Sequence, residues 1–204
     1  MARALDLVGE RWTLLLVREL MTGPKRFKDL VAGLPGIGTN LLTDRLKELE
    51  RTGIVSRRVL PPPAGSTVYE LTEVGLGLEA VVFALGRWGH QFLYPLKSSD
   101  ALNAGWFMVA LRGTLRPEIA GDRKQTFELQ TEGKVFTVTV SGGQVQSRQG
   151  PADEPDVILK TGLNALIGLL TQAVKPKAAL RDGSVRVEGD PQGLQRFVEL
   201  FGWS

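Results

Sequence analysis

Apolar side chains recur at intervals of three and four residues through the first part of the chain, as they do along one face of an amphipathic helix. Glycine and proline divide the pattern at Gly9, at the pair Gly23-Pro24 and at the pair Pro35-Gly36. The pattern therefore predicts four successive helices, with apolar positions Leu5, Val8, Trp12, Leu15, Leu16, Leu20, Phe27, Leu30, Val31, Leu34, Leu42, Leu46 and Leu49.

Two short strands and a long helix are expected next. Residues 54–60 and 66–71 are strand candidates, and the sequence PPPAG between them is typical of a hairpin with a long tip. Thr72 and Glu73 are suited to a helix start, and the apolar spacing extends that helix to about Leu93. Helices, a ribbon and a further helix, in this order, predict a winged helix-turn-helix.

The remainder of the chain alternates apolar and polar residues, which favours strands. Glycine-containing turns at residues 132–133 and 142–143 predict hairpins. The expected strands cover residues 106–111, 127–131, 135–140, 145–148, 156–160 and 184–188, and the expected helices cover residues 163–173 and a segment that begins near Pro191. The whole chain is thus predicted to be α+β: an N-terminal winged helix-turn-helix, and a C-terminal antiparallel sheet with helices.

A short polar stretch separates the two patterns. Residues 97–100 read KSSD, a composition typical of a linker. We therefore expect a winged-helix domain for DNA binding and dimerisation at residues 1–96, a linker at 97–103 and a second domain at 104–204.

Composition narrows the chemistry. The chain has no cysteine, one histidine (His90) and a net charge of +3 from 25 basic and 22 acidic residues. These counts exclude cysteine–zinc sites, thiol nucleophiles and multi-histidine metal sites, and leave little room for a histidine-based triad. Carboxylates such as Asp153 and Asp182 lie in turns and form no evident acid–base pair. We expect a non-enzymatic protein without cofactor or metal, and a cytoplasmic one with no membrane partner, since no apolar run approaches the ~20 residues of a membrane helix.

The fourth predicted helix has the two faces that a DNA-recognition helix needs. Leu42, Leu46 and Leu49 form the back, and the polar residues fall on the other side. Asn is suited to hydrogen bonding with adenine, and Thr can hydrogen-bond or touch a thymine methyl. The expected partner of this face is double-stranded DNA.

Positive charge is concentrated around this helix. Eight basic and four acidic residues lie between Gly23 and Leu60, and such a cluster favours phosphate contacts. Two roles stay open for Arg45: contact with a phosphate, or an ion pair with Glu48 or Asp29. Arg57 and Arg58 are neighbours on a predicted strand and point in opposite directions, so at most one of them is expected to face DNA. The candidate DNA-binding residues are Lys25, Arg26, Thr39, Asn40, Thr43, Asp44, Arg45, Lys47, Arg57 and Arg58.

Five motifs in order resemble the HxlR-type winged-helix regulators: GERWTLLLVREL at residues 9–20, GPKRFKDL at 23–30, LTDRLKELE at 42–50, GIVSRR at 53–58 and YELTEVG at 69–75. The resemblance covers about residues 4–93. It implies a homodimeric transcription regulator that binds an imperfect inverted repeat. Two departures stand out. This chain lacks the cysteine that many relatives carry before the first helix, and Gly38 replaces the common capping serine, so either Thr39 or Gly38 is expected to cap the fourth helix.

The second half resembles the sterol-carrier-protein fold more loosely, over about residues 104–202. The matching segments are VFTVTVSGGQV at residues 135–145, PDVILK at 155–160 and DGSVRVEGD at 182–190. The resemblance implies an apolar tunnel between a sheet and helices, and an apolar small molecule or lipid as effector. The candidate lining residues are Trp106, Phe127, Phe136, Leu166, Leu169, Leu170, Phe197 and Phe201.

The sequence therefore predicts a homodimeric DNA-binding regulator on a pseudo-palindromic operator, with an apolar effector in the C-terminal domain. The predicted long helix and the first helix would supply the dimer core. The alternative is a lipid or small-molecule binding protein that uses its winged helix for dimerisation or protein interaction. An enzyme with a lipid substrate ranks last, because no nucleophile–histidine pair or metal cluster is evident.

Overall fold

Helices and a two-stranded ribbon form the N-terminal part of the computed structural model, which describes residues 1–63, 65–92, 104–122 and 124–203. The helices are α1 (Ala2–Val8), α2 (Arg11–Leu20), α3 (Phe27–Gly33), α4 (Thr39–Arg51), α5 (Glu73–Leu76) and α6 (Glu79–Gly89), followed by a 3₁₀ turn (His90–Phe92). Strands β1 (Val55–Val59) and β2 (Thr67–Leu71) pair antiparallel. This order confirms the predicted winged helix-turn-helix.

The chain divides into two units, Met1–Val82 and Phe83–Ser204. The division falls within α6, whereas the linker expected at residues 97–103 lies outside the described residues. The core of the first unit is built from α2, α3 and α4, and its fully buried members include Leu16, Val17, Leu30 and Leu42. The stripes spaced by three and four residues therefore do face one another in the core.

A five-stranded sheet with the order β5-β4-β3-β6-β7 organises the second unit. Its strands are β3 (Gln125–Thr131), β4 (Lys134–Ser141), β5 (Gln144–Gln149), β6 (Val157–Thr161) and β7 (Val185–Gly189). One face buries apolar side chains such as Phe127 and Leu129 against helices, and the other carries polar ones such as Thr126 and Thr139. The helices are α7 (Ala104–Thr114), α8 (Pro117–Ala120), α9 (Leu163–Leu170), α10 (Pro176–Arg181) and α11 (Gly193–Phe201). The predicted α+β class is confirmed.

Four details differ from the sequence prediction. Residues 106–111 lie in α7, not in a strand, and α8 and α10 were not predicted. The sheet is antiparallel except between β3 and β6, which run parallel. The expected long helix is broken at residues 77–78 into α5 and α6. Within the described ranges, no helix combines the length and the apolar character needed to cross a membrane.

Candidate nucleic-acid interface

Helix α4 separates its apolar and polar residues cleanly. Leu42, Leu46 and Leu49 are at most 2% exposed and pack into the core of the first unit. Asn40, Asp44 and Lys47 are exposed. A polar, solvent-facing side backed by leucines is the arrangement a recognition helix requires, because one face must stay free to enter a groove.

The N-terminal turn of α4 has no side-chain cap. Gly38 is the N-cap residue and Thr39 is the first helical residue, so the structure selects Gly38 from the two expected cap residues. The Thr43 hydroxyl donates to the Thr39 carbonyl oxygen at 2.8 Å. Because its proton is used within the helix, Thr43 is left to accept a hydrogen bond or to present its methyl group.

Arg45 makes an ion pair that the sequence did not predict. Its guanidinium lies 3.7 Å from the Glu10 carboxylate, which belongs to the N-cap residue of α2. Glu48 pairs instead with Arg51 through two hydrogen bonds of 3.0 and 2.7 Å, and these bonds hold the pKa of the Glu48 carboxyl below its ordinary value. Asp29 accepts from the backbone N–H of Arg26 in the capping box of α3. The charge of Arg45 also helps to lower the pKa of Glu48, whereas the ion pair that Arg45 makes among the described residues is with Glu10 and not with Glu48 or Asp29.

The two strand arginines point to opposite sides of the ribbon, as the alternation predicts. Arg58 donates to Glu70 at 2.7 Å, which locally neutralises its charge. Arg57 pairs in register with Tyr69, is exposed and makes no ion pair in the described part of the chain. Arg57 is thus the arginine of the ribbon whose charge stays available to a phosphate.

Lys25 and Arg26 lie where α3 begins beside the ribbon. The backbone of Lys25 exchanges two hydrogen bonds with Tyr69, at 2.9 and 2.8 Å. Tyr69 therefore has Lys25 on one side and Arg57 on the other. Both Lys25 and Arg26 are partly exposed, so the structure brings three of the predicted cationic residues to the ribbon and its adjoining turn.

One exposed residue of α4 was not singled out from the sequence. Leu41 is 38% exposed, although the other three leucines of the helix are buried. Its position could have signalled this difference, because residue 41 falls outside the stripe formed by residues 42, 46 and 49.

The residues predicted to line a ligand cavity lie together in the second unit. Seven of the eight are buried in one cluster, and Trp106 of α7 is partly buried. The rings of Phe127 and Phe197 are 5.2 Å apart, and those of Phe197 and Phe201 are 4.9 Å apart. These side chains form a packed aromatic and aliphatic layer between the sheet and α9 and α11.

Two open clefts are lined wholly by described residues, and both are mainly polar. One, of about 340 Å³, includes Glu10 and Arg45, and the other, of about 1020 Å³, lies on the polar face of the sheet. Neither is lined by the eight predicted cavity residues. Among the described residues, no group of histidine and acidic side chains is placed to hold a metal ion.

Comparison with known families divides the chain as its sequence pattern does. The HxlR-like helix-turn-helix family model matches residues 7–97, and the SCP-2 sterol transfer family model matches residues 114–202. Both resemblances noted in the sequence are therefore confirmed.

Relatives match the N-terminal half. The HTH-type transcriptional regulator YodB of Bacillus subtilis is 44% identical over 95 residues, which are 47% of this chain and 85% of that protein. The uncharacterized HTH-type transcriptional regulator YvaP of the same species is 34% identical over 93 residues, 46% of this chain and 86% of that protein. The reduced form of B. subtilis YodB is a solved structure with 43% identity, covering 48% of this chain and 95% of that chain, at a TM-score of 0.42.

Proposed function

Because this chain belongs to the HxlR-type family of helix-turn-helix transcriptional regulators, we propose that it acts as a homodimer on a pseudo-palindromic operator. Helix α4 enters the major groove of each half-site. Lys25, Arg26 and Arg57 contact the phosphate backbone and fix the orientation of the helix. Two-fold symmetry of the protein then matches two-fold symmetry of the DNA.

The observation that carries this proposal is the exposed polar side of α4, held in place by three buried leucines. Asn40 has the amide geometry to pair with an adenine edge, and Lys47 has a cation for a phosphate. Arg45 and Arg58 have weaker roles, since each already has a carboxylate partner. Asp44 lies on the exposed side. Its carboxylate can accept a hydrogen bond from the amino group of cytosine, and its negative charge repels phosphate.

Exposed apolar side chains on two helices support the homodimer. Helix α1 has no buried residue, and its Leu5 and Leu7 are exposed. On α6 and the 3₁₀ turn, the side chains Val81, Leu85, Trp88 and Phe92 follow helical spacing and are 45–68% exposed. An amphipathic helix buries its apolar stripe against a partner, and a second copy of the chain supplies the same surfaces in return.

The second unit is proposed to bind an apolar small molecule or lipid. Its match to the SCP-2 sterol transfer family supports this role. An effector changes regulation only if it binds the DNA-competent and DNA-incompetent states with different affinities. The same match favours the alternative function, lipid binding without DNA recognition.

Fluorescence anisotropy with operator duplexes selected in vitro from a random pool separates these functions. The wild-type chain is expected to bind with an affinity that falls steeply with salt. Lys47→Ala leaves one phosphate per protomer without its cation, and the slope of log K against log salt is expected to fall by about 0.9 for each such phosphate. Lys134→Ala, at an exposed lysine of the second unit, is the matched control and leaves the slope unchanged.

The regulator proposal fails if the wild-type chain selects no duplex, or if its binding is weak and independent of salt. It also fails if Lys47→Ala and Lys134→Ala have equal effects, because binding would then be insensitive to the position of the charge. The lipid-binding alternative predicts those results together with retention of a co-purified apolar ligand in native mass spectrometry.

A further inference from the structure

Leu41 is the exposed leucine of a helix whose other leucines are all in the core. Leu42, Leu46 and Leu49 are 0–2% exposed, whereas Leu41 is 38% exposed and is not part of the core cluster. Folding of the first unit therefore does not require an apolar side chain at this position, and the residue is free to serve a contact made by the surface of α4.

The position of Leu41 favours contact with base edges. It lies in the first turn of α4, directly after the exposed Thr39 and Asn40. In helix-turn-helix proteins it is the N-terminal part of the recognition helix that reaches the bases. No acidic residue occupies the first turn, so the positive end of the helix dipole is left for the DNA.

The major groove offers one apolar group to such a side chain. Its edges carry hydrogen-bond donors and acceptors on every base pair, and thymine adds the 5-methyl group. A leucine that enters the groove gains nothing from the polar groups, but it buries apolar area against that methyl. Cations of the same unit, including Lys25, Arg26 and Lys47, make DNA the complementary occupant of this surface.

We propose that Leu41 reads thymine through van der Waals contact with the 5-methyl group, and so determines sequence specificity at one base pair of each half-site. This inference rests on the proposed DNA-binding function.

The test replaces each thymine of the selected operator by deoxyuridine, which removes the methyl group and keeps the base pair. For the wild-type full chain, one thymine per half-site is expected to be sensitive. Removal of its methyl weakens binding about fourfold, and removal in both half-sites weakens it about 15-fold, the effect of burying one apolar carbon at each site. Deoxyuridine at the other thymines changes the affinity less.

A double-mutant cycle that combines Leu41→Ala with the deoxyuridine operators shows whether Leu41 is the residue that contacts the thymine methyl. The variant folds as the wild type does, because the side chain is exposed and alanine is at least as good a helix former. It is expected to bind the thymine and deoxyuridine operators equally. Leu41→Met is the conservative control, since it retains an apolar side chain of similar volume and restores most of the discrimination.

Three results would overturn the inference. Wild-type binding that is indifferent to deoxyuridine at every position excludes methyl reading. Equal sensitivity of the wild type and Leu41→Ala assigns the reading to another residue, and a Leu41→Ala dimer that dissociates in sedimentation assigns Leu41 to a protein interface. These results differ from failure of the proposed function, in which the wild-type chain selects no duplex at all.

Discussion

A methyl group added at Gly193 tests how closely α11 packs on the sheet. Gly193 begins α11 and lies against Val157 of β6, which is fully buried. A β-carbon at Gly193 would lie 2.4 Å from both γ-carbons of Val157 and 3.0 Å from its β-carbon, whereas carbon atoms in favourable contact are about 3.5–4.0 Å apart. Rotation of the valine cannot relieve the 3.0 Å approach, so relief requires movement of the backbone.

The expected magnitude follows from this overlap. Overpacking of a well-packed core costs about 1–3 kcal/mol, and we expect Gly193→Ala to lie in the upper half of that range. Val157→Ala removes two buried methyl groups and costs about 2–3 kcal/mol. In the double variant the two 2.4 Å overlaps with the γ-carbons are gone, and only the 3.0 Å approach to the β-carbon of residue 157 remains. The destabilisation of the double variant is therefore expected to be smaller than the sum of the two single destabilisations by at least about 1.5 kcal/mol.

Peptide-resolved hydrogen exchange of the full chain measures this effect, because it reports the opening free energy of each unit separately. The matched control is Gly86→Ala in α6, where an added β-carbon meets no atom within 4 Å. That change is expected to leave the second unit as stable as the wild type or slightly more stable. Two results would refute the reasoning. One is a Gly193→Ala variant in which the opening free energies of β6 and α11 stay within about 0.5 kcal/mol of wild type. The other is a double variant whose destabilisation equals the sum of the two single variants.

Two further predictions concern other parts of the molecule. Gly75→Ala directs a β-carbon at the Ile54 carbonyl oxygen, only 2.1 Å away, and is expected to destabilise the first unit by about 2 kcal/mol in hydrogen exchange. Hydrogen bonds from the Gln192 N–H and from Arg196 hold the pKa of Asp190 below its ordinary 3.8. The resulting stabilisation is present above pH 3.8 and disappears as the pH falls through the lower folded value, so Asp190→Asn should flatten the acid end of the stability profile.

Periodicity was sufficient to predict the first unit, because its helices are amphipathic around one core. Leu42, Leu46 and Leu49 are buried as their spacing required, and the polar side of α4 is exposed. The candidate DNA-binding residues followed from the same pattern, since a side chain that does not face the core faces solvent. Their contacts with DNA remain predictions.

Local pattern was insufficient where a distant partner decides the structure. Residues 106–111 are rich in residues that favour strands, yet they form a helix that buries Phe107, Met108 and Leu111. The ion-pair partner of Arg45 is Glu10, a residue outside α4, whereas Glu48 makes its ion pair with Arg51. Ion pairs between elements depend on tertiary packing, which spacing along one helix does not encode.

The order of the strands has a consequence for how the protein is synthesised. Strand β6 follows β5 in the chain but pairs with β3, two strands further into the sheet. The hairpins β3–β4 and β4–β5 can close as they leave the ribosome, whereas one edge of β3 stays open until β6 has emerged. That edge, which includes Phe127 and Leu129, is a template for pairing with other nascent chains. Substitutions that delay its closure would therefore reduce yield through aggregation while leaving the fold of each correctly assembled molecule intact.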